Sequence, residues 1–169
     1  MFERVILGVD PGTGAIGLAS VRGKPNGASV IWSCTLRTRP DTAAAERLRR
    51  IYRAVREAIE VHRPEAVAME RLMWGKNIGS AMAVARASGA VMVAAAEAGV
   101  PVEEYAPLEV KMAVTGAGNA SKEQVRKGLG LLLGADAVPS EPDAADAVAV
   151  ALCHLQQSRM RTLARKAAR

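Results

Sequence analysis

Apolar and polar positions follow two different periods along this chain, and the changes of period mark its elements. Residues 5–9 (Val5-Ile6-Leu7-Gly8-Val9) form a short apolar run, the pattern of a buried strand. Pro11-Gly12-Thr13-Gly14 follows as a turn. Residues 16–21 and 30–36 read as two further strands, joined by the loop Gly23-Lys24-Pro25-Asn26-Gly27. These three strands predict an antiparallel meander. From Asp41 the period becomes helical: Leu48, Ile51, Tyr52, Val55 and Ile59 share one face. Arg49, Arg50, Arg53 and Arg56 lie on the opposite face, read as solvated. Residues 66–70 return to a strand pattern, 78–98 to a helix and 100–105 to a fifth strand. Helices are expected near 108–114, over 121–133, and from 143 to about 157. The order β-β-β-α-β-α-β-α predicts an α/β fold, a five-stranded mixed sheet flanked by helices.

Length changes little in this picture, because 169 residues suit one domain. That domain is expected over 1–157. Residues 158–169 would be a basic, flexible tail carrying Arg159, Arg161, Arg165, Lys166 and Arg169. Apolar residues make up 50% of the chain, which excludes disorder over most of it. Only five residues are aromatic (one Phe, two Trp, two Tyr), so Ala, Val, Leu, Ile and Met must build the core. Cys34 and Cys153 lack metal-ligand spacing and read as reduced core thiols. Glu3 and Arg4 precede the first strand at once, so no signal peptide is expected. Arg86 and Glu97 interrupt the Ala-rich stretch 81–98, which argues against a membrane span. A cytoplasmic protein is the expectation. The formal charge of +6 points to a polyanionic partner.

Against that basic surplus, four acids stand where the pattern is apolar: Asp10, Glu70, Asp143 and Asp146. Asp10 and Glu70 end the first and fourth strands. Asp143 and Asp146 open the last helix and, three residues apart, share one of its faces. A carboxylate at the edge of a core loses hydration at a cost of several kcal/mol unless it is paired or metal-bound. Four acids at the ends of three core elements suggest one shared cation site. If the first and fourth strands are parallel neighbours and the last helix packs beside them, the four converge. Hard oxygen ligands without His or Cys suit Mg²⁺ or Mn²⁺. Two such ions about 3.5–4 Å apart can clamp an in-line phosphoryl transfer. On a basic protein, that chemistry points to hydrolysis of a nucleic-acid phosphodiester.

These residues also carry a resemblance. Ile6-Leu7-Gly8-Val9-Asp10-Pro11-Gly12-Thr13-Gly14 resembles the opening of RuvC-type Holliday-junction resolvases, members of the RNase H-like superfamily. Met69-Glu70-Arg71-Leu72 followed by Lys76-Asn77 and Ser80-Ala81 is similar to a second motif. Asp143-Ala144-Ala145-Asp146-Ala147 preceding His154 is similar to the closing one. The resemblance implies an RNase H-like fold and a homodimeric, metal-dependent endonuclease. Such an enzyme nicks opposing strands of a four-way junction symmetrically in recombination and repair, beside a branch-migration complex. It places Asp10, Glu70, Asp143 and Asp146 on the catalytic, metal-binding carboxylates, with two ions per site. Some members carry His at the position of Asp143, which makes Asp146 the firmer ligand. Lys111 and Lys122 match basic residues near the cleaved strand. Many members place Phe three residues after the strand-end Glu; here Met73 stands there with Trp74 beside it. The DNA-contacting residues it implies are therefore Met73 or Trp74 as the base-stacking wedge, with Lys76, Asn77, Lys111 and Lys122. Small residues on the second helix (Ala81, Ala85, Ser88, Gly89, Ala96) suit either its own sheet or a dimer interface.

Two other classes compete. An actin-like or sugar-kinase-like phosphotransferase would use Gly12-Thr13-Gly14 for phosphate, but would be longer and carry a second glycine-rich loop. A non-catalytic junction-binding protein would not need all four acids. Another RNase H-like nuclease is the nearer alternative.

Overall fold

A computed structural model describes residues 3–39, 41–72 and 78–167. One five-stranded sheet has the order β3-β2-β1-β4-β5. β1 (Arg4–Pro11), β2 (Ala15–Lys24) and β3 (Gly27–Arg37) form the antiparallel meander. The hairpin turn between β2 and β3 narrows to Pro25 and Asn26. β4 (Ala66–Glu70) pairs parallel with β1, and β5 (Val102–Tyr105) parallel with β4. Those two parallel steps need crossovers, supplied by α1 (Ala44–His62) and α2 (Ile78–Glu97). α3 (Pro107–Thr115), α4 (Lys122–Leu133) and α5 (Pro142–Ala167) cover the other face. A single 3₁₀ turn, Ala135–Ala137, links the last two.

The twofold period of the strands sorts the core into two layers. Leu7, Val9, Ile16, Leu18, Val67 and Met69 face α1 and α2. Ile6, Ala19, Val21, Ala66, Ala68 and Tyr105 face the α3–α5 layer. Counting on by twos from Ile6 and Ala68 sends Asp10 and Glu70 toward that second layer.

α2 is long and apolar enough to cross a membrane by length and composition alone. It nevertheless packs as a core helix, burying Ala87, Val91, Ala94 and Ala95 against α1 and the sheet. The small residues divide: Ala81 and Ser88 are buried, while Ala85 and Ala96 are exposed. Of the four α1 arginines read as solvated, three form ion pairs: Arg49 and Arg50 with Glu46, and Arg56 with Glu60 and with Glu97 of α2.

Two expectations need correction. α5 does not end near Gln157 but runs on to Ala167. No Gly or Pro interrupts this stretch, and apart from Ser158 and Thr162 it consists of Arg, Met, Leu, Lys and Ala, all good helix formers. Arg159 donates to the Pro25 carbonyl, and Arg161 lies 3.6 Å from Glu103. Cys153 is buried, but Cys34, on the edge strand, is only half-buried.

Candidate active site

Register and close packing bring the acids together. The ladder between β1 and β4 closes at Val9 and Met69, so Asp10 and Glu70 follow side by side at the strand ends. α5 reaches them because two strand glycines leave room for its backbone. A Cβ on Gly8 would sit 2.0 Å from the Ala147 carbonyl oxygen, and one on Gly17 1.8 Å from that of Asp143. Gly17 is also the cross-strand partner of Asp10. The first turn of α5 therefore rests directly on the strand pair that carries Asp10, with Ala144, Ala145 and Ala147 buried around it.

Asp10, Glu70 and Asp146 line one pocket of about 200 Å³ with Lys111, Lys122, Pro107 and Val110. Asp143 does not line it, yet its charge is felt by both Asp10 and Asp146. Burial, then the charges of Glu70, Asp146 and Asp143, push the Asp10 carboxyl up to about 7, and Lys122 only partly offsets them. Burial also raises Glu70, with Asp146 adding to the effect and Lys122 and Lys111 opposing it. Asp146 is raised by burial too, while Lys122, 3.5 Å from its Oδ2, pulls the other way. Each acid thus has its charged form disfavoured by the same two causes, desolvation and like charge. A polyvalent cation relieves both.

The donor set fits such a cation, since every candidate ligand is a carboxylate oxygen. Among the described residues no three His, Cys, Asp or Glu side chains already grip a single point. A cation held by Asp146 would compete with the Lys122 ammonium, 3.5 Å from its Oδ2.

Local chemistry explains how the two lysines arrive. Ser121 and Gln124 cap α4 reciprocally, Gln124 N–H donating to Ser121 Oγ at 3.2 Å and Ser121 N–H to Gln124 Oε1 at 2.8 Å. That box puts Lys122 at the first helical position. α3 starts at Pro107, with Glu109 accepting from the Ala106 N–H at 2.8 Å, and carries Lys111 one turn on. Met73, Trp74, Lys76 and Asn77 lie outside the described residues.

Sequence reasoning passed over several supports. Gly8 and Gly17 are the most telling; glycine inside a strand is the available signal for close backbone approach. Arg47 on α1 donates to the Thr13 carbonyl and, at 3.0 Å, to Thr38 Oγ1, tying down the turn that follows Asp10. His154 lies outside the pocket lining, buried, with the Tyr105 hydroxyl 2.9 Å from its Nδ1. It braces α5 against β5, the strand whose Tyr105 pairs with Glu70.

Comparison with known proteins converges on one family. The profile described as crossover junction endodeoxyribonuclease RuvC matches residues 6–154. The protein of that name from Thermotoga petrophila is 42% identical over 156 residues, covering 92% of this chain and 94% of its own. The structure described as T. thermophilus RuvC in complex with Holliday junction substrate is 41% identical, with a TM-score of 0.88. It covers 94% of this chain and 97% of that one. The yeast mitochondrial Holliday junction resolvase, at 14% identity and TM-score 0.64 over 88% of this chain and 76% of its own, shares the fold. The chain belongs to the RuvC family of crossover junction endodeoxyribonucleases.

Proposed function

We propose that this protein resolves four-way DNA junctions by paired, symmetric hydrolysis of phosphodiesters in the pocket of Asp10, Glu70 and Asp146. The observation that carries this reading is the convergence of three half-buried carboxylates from β1, β4 and α5 on one pocket that also holds Lys111 and Lys122. Asp10, Glu70 and Asp146 bind divalent metal, with Asp143 joining from the first turn of α5. We assign Mg²⁺ or Mn²⁺, two ions per site. When bound, such ions supply the Lewis acidity that activates water and stabilises the departing 3′ oxygen. Lys111 and Lys122 orient the scissile phosphate; Lys122 exchanges its Asp146 contact for the incoming phosphate oxygen. We assign the base-stacking contact at the crossover to Met73 or Trp74, and further DNA contacts to Lys76 and Asn77.

Symmetric nicking needs two copies, and α2 offers the face. Ile78, Met82 and Val93 are 66%, 49% and 52% exposed. At 100° per residue they fall within about 60° of one another, with Ala85, Gly89 and Ala96 in the same stripe. We assign this stripe to a homodimer interface. The remaining expectations, a cytoplasmic setting and a branch-migration complex as further partner, go with this reading.

Incubation with a synthetic four-way junction, with and without Mg²⁺ or Mn²⁺, tests it. Metal-dependent nicks should appear symmetrically across the crossover, and Asp10→Asn, Glu70→Gln or Asp146→Asn should abolish them while junction binding survives or tightens. Binding should weaken steeply with salt. Near-normal nicking by Asp146→Asn would sink the carboxylate assignment. Equal competition by linear duplex would favour a general RNase H-like nuclease.

A further inference from the structure

At the far end of the same strand lies a second pocket with the reverse chemistry. Arg4 opens β1, and its cross-strand partner is Gly23. Beside them is a cavity of about 190 Å³ walled by Leu132, Leu152 and Leu155. Arg4, Lys24 and Arg159 are its charged lining residues, and none of its lining residues is acidic. We propose that this pocket docks an acidic peptide segment of a partner protein, which inserts one large apolar side chain between the leucines and sets its carboxylates against Lys24 and Arg159, beside the Arg4–Glu65 pair.

Size argues for a side chain. Whole small-molecule sites occupy roughly 300–1,000 Å³, and this cavity is smaller. Its walls belong to elements that the core already fixes: Leu152 and Leu155 are 6% and 8% exposed on α5. Gly23 keeps the space open, since a Cβ there would stand 2.7 Å from Leu155 Cδ2. Leu132, at the end of α4, is 45% exposed and supplies the accessible wall.

The two guanidiniums are set in place beforehand. Arg4 is held by Glu65 and by Ser158 Oγ at 3.0 Å, and Arg159 by the Pro25 carbonyl. Guanidiniums fixed before binding lose little freedom on meeting a carboxylate. Phosphate backbones would satisfy these charges too, but would leave the leucine walls wet. The apolar floor is what selects a peptide, as in other grooves that combine a hydrophobic anchor with charged flanks.

The test uses the full chain and a fluorescein-labelled nine-residue peptide of Asp and Ser carrying a single Phe. Fluorescence polarisation should show saturable binding. Affinity should fall about tenfold or more when the peptide's Phe becomes Ala, when its Asp residues become Asn, and for the Leu132→Asp and Lys24→Glu variants. Both positions are exposed, so the fold should survive, and circular dichroism verifies this. Should Leu132→Asp unfold, Lys24→Glu alone decides. Junction nicking by Leu132→Asp should match the parent protein. Equal binding of the Ala peptide would reduce the site to bulk charge and overturn the proposal. Undiminished binding by a folded Leu132→Asp protein, or the absence of saturable binding, would overturn it equally. So would loss of nicking by a folded Leu132→Asp protein, which would assign this surface to junction DNA.

Discussion

The two ends of β1 are about 20 Å apart by strand geometry, and they solve opposite problems. At the Asp10 end, ionisable groups are held where the solvent is poor, and burial and mutual repulsion raise three carboxyls together. At the Arg4 end, the lining is apolar, and the charges sit at a rim with salt-bridge or carbonyl partners. α5 spans both, presenting Asp143 and Asp146 at one end and Leu152 and Leu155 at the other. The contrast teaches which end is built for stability. Carboxylates packed against one another oppose folding, so their presence needs a functional reason. Leu152 and Leu155, buried at the other end, stabilise the fold whether or not a partner is bound. The acidic end should therefore gain stability when its chemistry is removed, and the apolar end should lose stability with its chemistry intact.

The largest effect should come from the feature that sets α5 on the sheet. Gly17→Val places side-chain atoms where the Asp143 carbonyl now lies. Backbone cannot yield there without lifting α5, so a loss of at least ~3 kcal/mol is expected. Urea unfolding should show it, and nicking should vanish with it. A Gly17→Val protein of parental stability would separate α5 placement from the acidic site.

Next comes Asp10→Asn. The Asp10 carboxyl is raised from 3.8 to about 7, so the folded chain holds a proton that the unfolded chain releases in that interval. Stability should fall as pH rises from about 4 to about 7 and level off above. That rise corresponds to roughly 4 kcal/mol at most. In chelator, Asp10→Asn should be more stable than the parent near pH 8 by up to that amount and no more stable near pH 3. An identical difference at both pH values would mean that the gain has nothing to do with the Asp10 charge.

How much of this was legible in the sequence depends on the kind of signal. Asp10 and Glu70 interrupt apolar runs, and strand parity places both on the α5 face, so their convergence could be read directly. The paired strands and the meander followed from the same periodicity. The end of helix α5 is not legible, because a basic, acid-free stretch has the composition of a tail, although most of its residues favour helix. The burial of Ala81 and Ser88 against the exposure of Ala85 and Ala96 could not be read, since small residues carry no direction in a pattern. Gly8 and Gly17 were visible as letters, yet their partners, the carbonyls of Ala147 and Asp143, lie more than a hundred residues away. Contacts of that separation have no local signature. The pocket at the Arg4 end was hidden for the same reason: its walls come from β1, the β2–β3 hairpin, α4 and α5.

The apolar end offers the complementary experiment. Leu155→Ala removes a buried side chain beside Gly23, where glycine cannot expand to fill the space. A loss of about 3 kcal/mol is expected, within the usual range for Leu→Ala. Nicking per folded molecule should be unchanged. A fall in nicking at full folding would show that the two ends communicate through α5.

The smallest stability effect should come from Lys122→Met, and it separates charge from packing most finely. Lys122 is 87% exposed in its contact with Asp146, so solvent screening leaves the pair worth less than about 1 kcal/mol. Unfolding curves should barely move. Its charge nevertheless lowers the Asp10, Glu70 and Asp146 carboxyls together. Without it all three need a higher pH to ionise, and only ionised carboxylates bind metal. The acid limb of the nicking rate should therefore shift to higher pH, on top of any loss from phosphate orientation. That loss is independent of pH, so the position of the limb and the height of the plateau report the two roles separately. Lys24→Met, the same change at the apolar end, should move neither. A Lys122→Met protein with a lowered plateau and an unmoved limb would leave Lys122 as a phosphate contact alone, with no part in setting the charge of the acidic pocket.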